Sequence, residues 1–446
     1  MMNVRLVLRL ASIFLLTLCL TSAEAQVTVI TAGQLVDPEA GTALANQTVV
    51  IENGIIQEVG GDLTIPAGAR HLDLSSLTVL PGLMDAHTHV ASAYDADNSP
   101  DSDWGSLLEY NVEVSTAARA IQGFLAAQSY LDAGFTTIRD LGNAGDFADS
   151  AILNILAADP IANTGQVKAY ADPRPGQIGS VPGPTFFISG KILAPFGGQM
   201  RVSANSPEVA LIDFFEADTR DEIRKAIRQN IHYGASWIKI IVDDQGFRPY
   251  MYSVEDIKFI IEEAGRAGVK VAAHSLVEEG ARVAIEAGVA SLEHGYEMSD
   301  ELLELAKERG VVLVGCELGP GPDSHNALHH PGEIERIQDR LERAYRIGVE
   351  LVFAADILRQ TPGFTKGQLA IGAIDTWKAA GIPAADILRA MTTNSARLLG
   401  IADQRGGIRP GMAADFIGTI GNPLDDIAIL KQVSFVMKDG VVFRRD

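Results

Sequence analysis

The sequence predicts an α/β protein: a (β/α)8 barrel of the TIM type with a small composite β-sandwich domain built from both termini. Between residues 83 and 356, eight short apolar runs alternate with helical stretches, and several of these stretches stop at a glycine just before the next run. β-rich segments also lie at both ends of the chain, with the hairpin turn pairs Asn53-Gly54 and Asp439-Gly440. Two β-rich ends around a long alternating middle predict one β unit assembled from both termini.

The predicted elements follow one another in order along the chain. The terminal strands are Val27–Ala32, Thr48–Ile51, Ile55–Val59, His71–Leu80, Asp415–Thr419, Val433–Lys438 and Val441–Arg444. The barrel strands are Leu83–Ala86, Thr136–Arg139, Thr185–Gly190, Trp237–Val242, Val269–His274, Ala290–His294, Val311–Cys316 and Leu351–Asp356. The helices are Ser106–Leu131, Thr219–Tyr233, Val254–Ala267, Glu279–Ala287, Ser299–Arg309 and Ile334–Ile347. Eight strands in about 275 residues fit a closed barrel, and no strand precedes the glycine fingerprint or P-loop of nucleotide-binding open sheets.

The chain of 446 residues divides into three predicted parts. They are a signal peptide (residues 1–25), a composite β domain (26–80 and 404–446) and a metal-dependent barrel (81–403). In the signal peptide, Arg5 and Arg9 precede the apolar stretch Leu10–Leu20, and Ala23-Glu24-Ala25 supplies a cleavage motif of small residues. That stretch is too short to span a bilayer, so a membrane anchor is the weaker alternative. We expect export to a bacterial periplasm, with no membrane association after the signal is removed.

The composition limits the partners of the protein. With 47% hydrophobic and 21% charged residues, the chain can bury a large core and a smaller one. The net charge of −21 argues against nucleic acid or an anionic membrane as a partner. Of the two cysteines, Cys19 leaves with the signal peptide. Cys316 then has no disulfide partner, and its position after an apolar run predicts that it packs in the core.

His87 and His89 follow the first barrel strand. Residues two apart on a strand point to the same face, so the two imidazoles can form half of a divalent metal site. A His-x-His spacing alone is weak evidence. It gains weight because barrel enzymes place their chemistry at the carboxyl ends of the strands. Four further candidates stand within or at the ends of later strands: Lys239, His274, His294 and Asp356.

Lys239 lies among apolar residues in Trp237–Val242. Burial there lowers the pKa of the amine and favours its neutral form. A neutral amine can add carbon dioxide, and the resulting carbamate can bridge two cations. The alternative is a lysine that caps the strand and pairs with Asp243 or Asp244, but the nearby histidines favour the carbamate.

The other candidates have ordinary alternatives as well. His274 and His294 could each be a hydrogen-bonded core histidine, although Gly295 leaves space for a ligand to approach. Asp356 ends an apolar strand, where an unpartnered carboxylate is costly and a metal with a bound water would satisfy it. Asp85 is predicted to support the ligands without binding metal itself.

Together these motifs resemble the amidohydrolase superfamily. The matching residues are Pro81-Gly82-Leu83-Met84-Asp85-Ala86-His87-Thr88-His89, Lys239, His274, Ser291-Leu292-Glu293-His294-Gly295 and Asp356. The similarity extends to Gly134–Asp140 and Gly407–Asp415 and covers nearly the whole predicted mature chain. It is strongest toward two-metal members related to imidazolonepropionase-like proteins, Xaa-Pro and other dipeptide carboxypeptidases, and ochratoxin-type amidohydrolases. Lys239 and the signal peptide count against imidazolonepropionase itself.

The resemblance implies a site for two divalent metal ions, with zinc the first candidate. The implied ligands are His87, His89 and Asp356 for the more buried ion, His274 and His294 for the exposed one, and carboxylated Lys239 as a bridge. Asp356 is implied as the general base and then the general acid. A homo-oligomer is also implied, because similar proteins form ring-like assemblies.

The predicted reaction is hydrolysis of an amide, the C-terminal peptide-like bond of an N-acyl amino acid or a dipeptide. Arg201, Arg248 and Tyr252 lie in loops after the third and fourth barrel strands, where a guanidinium could hold a substrate carboxylate. For each of them a solvated surface residue is the alternative that the sequence alone favours. Gln199 stands where related carboxypeptidases often have histidine, and Ile357 departs from the alanine that they often have after the aspartate. These departures concern the substrate pocket and leave metal binding intact.

Three alternatives remain for the function. One is hydrolysis of a cyclic amide, lactone or phosphotriester on the same metals, because loops set the specificity. Another is a periplasmic metal- or ligand-binding protein without turnover. The third is a structural barrel that binds no metal.

Overall fold

The computed structural model describes residues 27–95, 109–156, 181–198, 207–243, 251–317 and 333–446. The predicted signal peptide lies outside these ranges, as do three of the predicted substrate contacts: Gln199, Arg201 and Arg248. None of the helices in the described ranges combines the length and the apolar character that a membrane span requires.

Strands and helices alternate through the middle of the described ranges, and strands predominate toward both ends. The strands are β1 (Val27–Asp37), β2 (Thr42–Glu52), β3 (Ile55–Gly60), β4 (Arg70–Pro81), β5 (Leu83–Thr88), β6 (Tyr94–Asp95), β7 (Phe135–Asp140), β8 (Thr185–Ile188), β9 (Ile192–Ala194), β10 (Phe214–Glu216), β11 (Trp237–Ile241), β12 (Lys270–Ser275), β13 (Ser291–His294), β14 (Val312–Val314), β15 (Leu351–Val352), β16 (Arg359–Gln360), β17 (Phe416–Thr419), β18 (Val433–Lys438) and β19 (Val441–Arg445). The α-helices are α1 (Thr116–Asp132), α2 (Ala148–Leu156), α3 (Arg220–His232), α4 (Val254–Gly265), α5 (Glu278–Ala287), α6 (Asp300–Arg309), α7 (Glu333–Ile347), α8 (Lys366–Gly372), α9 (Ile374–Ala379), α10 (Ala384–Met391) and α11 (Thr393–Leu399).

Both ends of the chain contribute to one seven-stranded sheet, as predicted. Its order is β19-β18-β17-β4-β1-β2-β3, with β1 and β4 parallel. The hairpin turns have positive φ at both central residues, 53° and 78° at Asn53-Gly54 and 49° and 77° at Asp439-Gly440. A two-residue turn of type I′ has this geometry, which explains the Asn-Gly and Asp-Gly pairs. The domain boundaries at residues 80 and 404 stay a prediction.

The middle of the chain forms the barrel. Parallel pairing joins β5-β7-β8 in one sheet and β10-β9-β11-β12-β13-β14-β15 in another. Backbone hydrogen bonds cross the two seams. Ser236 N donates to Ile188 O at 2.9 Å at one seam, and at the other Ala86 N donates to Phe353 O at 3.1 Å and Asp356 N donates to His87 O at 3.0 Å. The strands β5, β7, β8 and β11–β15 thus surround a common core, which confirms the predicted (β/α)8 class.

Local sequence explains these elements. Every residue of β11 is buried, because a parallel sheet inside a barrel is covered on both faces. The helices α3 and α4 begin with capping boxes, in which Thr219 and Ser253 exchange hydrogen bonds with the residues three positions later. The helices α5 and α6 end at Gly288 and Gly310, which adopt the left-handed conformation that favours glycine.

Besides the short strands β9 and β10, four short helices and one strand pairing are missing from the sequence prediction. The helices α8–α11 have only six to eight residues each, too few turns for a clear helical period. The two-residue strands β6 and β16 pair Tyr94 with Arg359 and Asp95 with Gln360. This short pairing joins the segment after β5 to the segment after β15, and both segments begin at the carboxyl ends of barrel strands.

Candidate metal centre

The structure brings the six predicted ligands to the carboxyl ends of the barrel strands. His87 lies in β5, Lys239 in β11, His274 in β12 and His294 in β13. His89 directly follows β5, and Asp356 lies just beyond the end of β15. The four histidines and Lys239 are each at most 5% exposed, and the Asp356 side chain is 13% exposed. Such burial of polar side chains on several different strands is typical of a metal or catalytic site.

His87, His89 and Asp356 converge on one point. His87 Nε2 and His89 Nε2 are 3.2 Å apart, and Asp356 Oδ1 lies 3.6 Å from the first and 3.0 Å from the second. Two nitrogens that bind one zinc tetrahedrally at 2.0–2.1 Å are roughly 3.4 Å apart. Asp356 Oδ1 is buried and has no hydrogen-bond partner among the described residues. The three side chains therefore fit a divalent metal ion.

Hydrogen bonds from the opposite ring nitrogens orient this first histidine pair. His87 Nδ1 donates to Glu293 Oε2 at 2.8 Å, and His89 Nδ1 donates to the Gly142 carbonyl oxygen at 2.8 Å. With each Nδ1 proton committed to an acceptor, each Nε2 presents its lone pair to the common point. Metal-binding histidines are usually held in this way.

Sequence reasoning missed the roles of Glu293 and Arg139. Glu293 accepts the hydrogen bond from His87 Nδ1, and Arg139 pairs with Glu293. Both are fully buried, and Arg139 Nη2 lies 3.1 Å from Glu293 Oε1 and 3.3 Å from Oε2. Ser291 Oγ also donates to Glu293. The available signal was a charged residue inside each of the predicted barrel strands that became β7 and β13, because a buried charge needs a partner.

His274 and His294 form a second pair on β12 and β13. Their ring planes are inclined by 68°, with centroids 4.4 Å apart. His294 Nδ1 lies 3.4 Å from the Tyr296 hydroxyl and 3.9 Å from Asp356 Oδ2. Asp356 thus faces the first pair through one oxygen and the second pair through the other.

Lys239 lies beside the first pair, with Nζ 3.5 Å from His87 Nε2. Asp243, one of the carboxylates in the alternative interpretation, accepts hydrogen bonds from Ser275 Oγ and from Leu276 N. Burial lowers the pKa of the Lys239 amine, although Glu293 opposes the shift. A lysine in this position is disposed toward the neutral form that carbamate formation requires.

The electrostatics of the site favour metal-binding protonation states. Burial lowers the pKa of His87, His274 and His294 well below the ordinary value, and the positive charge of Lys239 adds to the effect. Burial alone would raise the pKa of Asp356, but His87 and His89 outweigh it and hold that pKa below its usual range. Neutral imidazole and ionised carboxylate are the forms that bind metal.

Cys316 packs in the core, as predicted, and also contacts the site. It lies in an apolar cluster with Val314 and Val352, and its Sγ is 3.2 Å from His87 Nδ1. Potential ligand atoms of His87, His294, Cys316 and Asp356 all lie within 4.8 Å of one another. Burial raises the pKa of the thiol well above its ordinary value, so Cys316 stays neutral and is a poor nucleophile.

Two further predicted residues have defined places. Asp85 Oδ1 accepts hydrogen bonds from His87 N at 3.0 Å and Ala355 N at 3.4 Å, and burial raises the pKa of Asp85 to about 8. It ties the first strand to the last, in keeping with a supporting role. Tyr252 is buried, and its hydroxyl donates to the Ala217 carbonyl oxygen at 2.9 Å. Its part in substrate binding stays a prediction.

Known proteins share this fold and part of this sequence. The model of the amidohydrolase family matches residues 78–443. Ochratoxinase from Aspergillus niger is 28% identical over 445 residues, which cover 94% of this chain and 87% of that protein. The structure of a Xaa-Pro dipeptidase with methionine in its active site aligns with a TM-score of 0.76 and 26% identity, covering 94% of this chain and all of the other (100%). The structure of A. niger ochratoxinase aligns with a TM-score of 0.74 and 25% identity, covering 95% of this chain and 96% of the other.

Proposed function

The chain belongs to the amidohydrolase family, and on that premise we propose that it cleaves the C-terminal peptide-like bond of N-acyl amino acids or dipeptides with two divalent metal ions. Its relatives support an amide-bond hydrolase. The observation that carries the proposal is the convergence of His87, His89 and Asp356 on one point, with His274, His294 and Lys239 around it.

The residues have distinct roles in this proposal. His87, His89 and Asp356 Oδ1 would hold the more buried ion, and His274 and His294 would hold the second. Divalent ions bound there, zinc first among them, would polarise the scissile carbonyl and lower the pKa of the attacking water. Lys239 would add carbon dioxide at Nζ: a C–N bond forms, one proton leaves, and the carbamate would offer two oxygen donors to the ions.

Asp356 moves the proton. Its Oδ1 faces the first histidine pair, while Oδ2 lies on the side of His294 and accepts a proton from the attacking water. The same oxygen returns this proton to the leaving amine, so Asp356 acts first as a base and then as an acid. A pKa below the usual range keeps the carboxylate ionised and ready at neutral pH.

The substrate class rests on similarity. A Xaa-Pro dipeptidase is among the similar structures, which supports dipeptides as the class to test first. A free substrate carboxylate would require a cation near the second metal. Arg201 and Arg248 remain the proposed candidates, although both lie outside the described residues.

The test is amine release by the zinc-loaded protein from a panel of N-acyl amino acids and dipeptides. Each is offered with a free and with an amidated C-terminus. Cyclic amides are tested in the same assay, and lactones and phosphotriesters by titration of the acid that they release, because they release no amine. Hydrolysis of the free forms, lost on amidation, is the expected result and indicates an anion clamp. Turnover confined to lactones, cyclic amides or phosphotriesters would retain the metal site and overturn the substrate class.

We also propose that the protein is exported and that it self-associates. Both proposals come from the sequence and the family resemblance. Amino-terminal sequencing of the protein from a periplasmic fraction should begin at Gln26, whereas an intact Met1 in a cytosolic fraction would contradict export. Light scattering of the mature protein tests the homo-oligomer, and a monomer mass would contradict it.

A further inference from the structure

Lys366, the first residue of α8, contacts both loops that carry the proposed ligands of the buried ion. It is 8% exposed. Its Nζ donates to four backbone carbonyl oxygens: those of His89 at 2.7 Å, Ile357 at 2.7 Å, Leu358 at 3.2 Å and Ser92. His89 is a proposed ligand, and Ile357 directly follows Asp356.

This arrangement couples the ends of the first and last barrel strands. An ammonium has three N–H donors, so four acceptors saturate it. A buried charge that loses hydrogen-bond partners costs free energy, and charge-assisted hydrogen bonds are stronger than neutral ones. Moving either loop away from Lys366 is therefore unfavourable. The β6–β16 pairing holds the same two loops together a few residues farther on.

We propose that Lys366 is a positioning residue for the metal centre: it fixes His89 against Asp356 and thereby sets the affinity for the buried ion. The distance that it controls is the 3.0 Å between His89 Nε2 and Asp356 Oδ1. The hydrogen bonds described above reach the backbone of His89 and of Ile357, the neighbour of Asp356, so Lys366 positions the two ligands through the backbone. The proposal rests on the metal site of the proposed function and adds a residue from α8, a helix that carries none of the ligands.

The test compares Lys366→Met with Lys270→Met. Lys270 is a matched control because its Nζ also donates to a backbone carbonyl oxygen, that of Leu398 at 2.6 Å, but it begins β12 at the opposite end from His274. Each protein is loaded with zinc, competed with a chelator and assayed for bound metal by elemental analysis. Thermal unfolding of the metal-free proteins records the loss of stability for both variants.

We expect Lys366→Met to bind the tighter zinc ion about 10–100-fold more weakly than the parent, which is the usual effect of mutating a residue that supports a metal ligand. The zinc affinity of Lys270→Met should be close to that of the parent. Equal affinity in Lys366→Met and the parent would overturn the proposal, and so would equal weakening in both variants. If Lys366→Met does not fold, Lys366→Gln takes its place, because the glutamine amide keeps two N–H donors. We expect its zinc affinity to lie between those of the parent and the methionine variant. Parental zinc affinity in Lys366→Gln would overturn the proposal. Because no substrate is involved, failure of the amide assay with intact zinc binding would overturn only the proposed substrate class.

Discussion

The two histidine pairs differ in how their rings are held. In the first pair, Nδ1 of each ring reaches a strong acceptor at 2.8 Å, the Glu293 carboxylate for His87 and the Gly142 carbonyl for His89. In the second pair, the contact from His294 Nδ1 to the Tyr296 hydroxyl is 3.4 Å, near the outer limit of a hydrogen bond. The first pair is therefore pre-oriented for metal, and we expect it to bind its ion more tightly than the second.

The backbone shows the same contrast. His294, Cys316 and Asp356 have φ values of 71°, 53° and 55°, which lie in the left-handed region of the backbone that residues other than glycine rarely adopt. Neither His87 nor His89 does. Such conformations cost about 1–3 kcal/mol each and concentrate at functional sites. The strain lies at the ends of strands β13 to β15. The first pair has no positive φ, although β5 pairs irregularly with β7 between Asp85 and Thr88, and the ion pair of Glu293 with Arg139 supports His87.

Asp356 joins the two pairs, so Asp356→Asn should have the largest effect. The amide keeps an oxygen toward His87 and His89 but cannot accept and return the proton. We expect kcat to fall by about 10²–10⁴-fold, with most of the metal retained by elemental analysis. Asp375→Asn, which removes an exposed carboxylate paired with Lys431, is the matched control and should keep parental activity. Retained turnover in Asp356→Asn would contradict the mechanism, and an inactive parent that binds metal would favour the non-catalytic alternative.

Glu293→Gln tests the anchoring of the first pair directly. It weakens the hold on His87 Nδ1 and leaves the Arg139 guanidinium buried beside a neutral amide. We expect metal affinity to fall about 10–100-fold and the free energy of unfolding to fall by about 3–5 kcal/mol. Chelator competition and urea unfolding measure the two effects. Glu262→Gln, on an exposed ion pair with Arg266, is the control, and parental affinity in Glu293→Gln would show that this anchor does not matter.

The contrast between the pairs also marks the limit of sequence reasoning. The proposed ligands could be selected from the sequence because each lies in, at the end of or just after a predicted strand, where a buried polar side chain needs a partner. Their anchors were not, because the pairing of Arg139 with Glu293 spans 154 positions and the contact of Cys316 with His87 spans 229. An apolar pattern shows that a residue is buried and leaves its partner unspecified.

The fold follows the same rule. All eight barrel strands were predictable from apolar runs between glycine-terminated helices, and the hairpins from Asn-Gly and Asp-Gly pairs. The short helices α8–α11 were not, because packing and not local periodicity stabilises them. Lys366 belongs to one of these helices, and nothing in its local sequence indicates that its ammonium contacts the loops after β5 and β15.

A smaller effect concerns the proton balance of the second pair. Burial lowers the pKa of His274 far below its ordinary value of 6.5. Below pH 6.5 the unfolded chain binds a proton that the folded metal-free protein excludes, so this residue makes stability fall as the pH falls toward the lowered value. The slope is up to about 1.4 kcal/mol per pH unit. Because the unfolded histidine is already half protonated at pH 6.5, urea unfolding of metal-free His274→Gln at pH 6.5 and 5.5 should show a loss of stability smaller than the parent's by about 1 kcal/mol. Equal losses would contradict a neutral buried imidazole.

Tyr296→Phe should have the smallest effect and gives the sharpest comparison with Glu293→Gln. The hydroxyl donates to the Cys316 carbonyl oxygen at 3.0 Å and lies 3.4 Å from His294 Nδ1. Both are neutral contacts, and a neutral hydrogen bond contributes about 1 kcal/mol. We expect stability to fall by about this amount and the weaker zinc to be bound within about fivefold of the parental affinity. If Tyr296→Phe released zinc as readily as Glu293→Gln, the tyrosine would anchor His294 as firmly as Glu293 anchors His87. The two pairs would then be equally pre-oriented, and their difference in hydrogen-bond length would carry no consequence for metal binding.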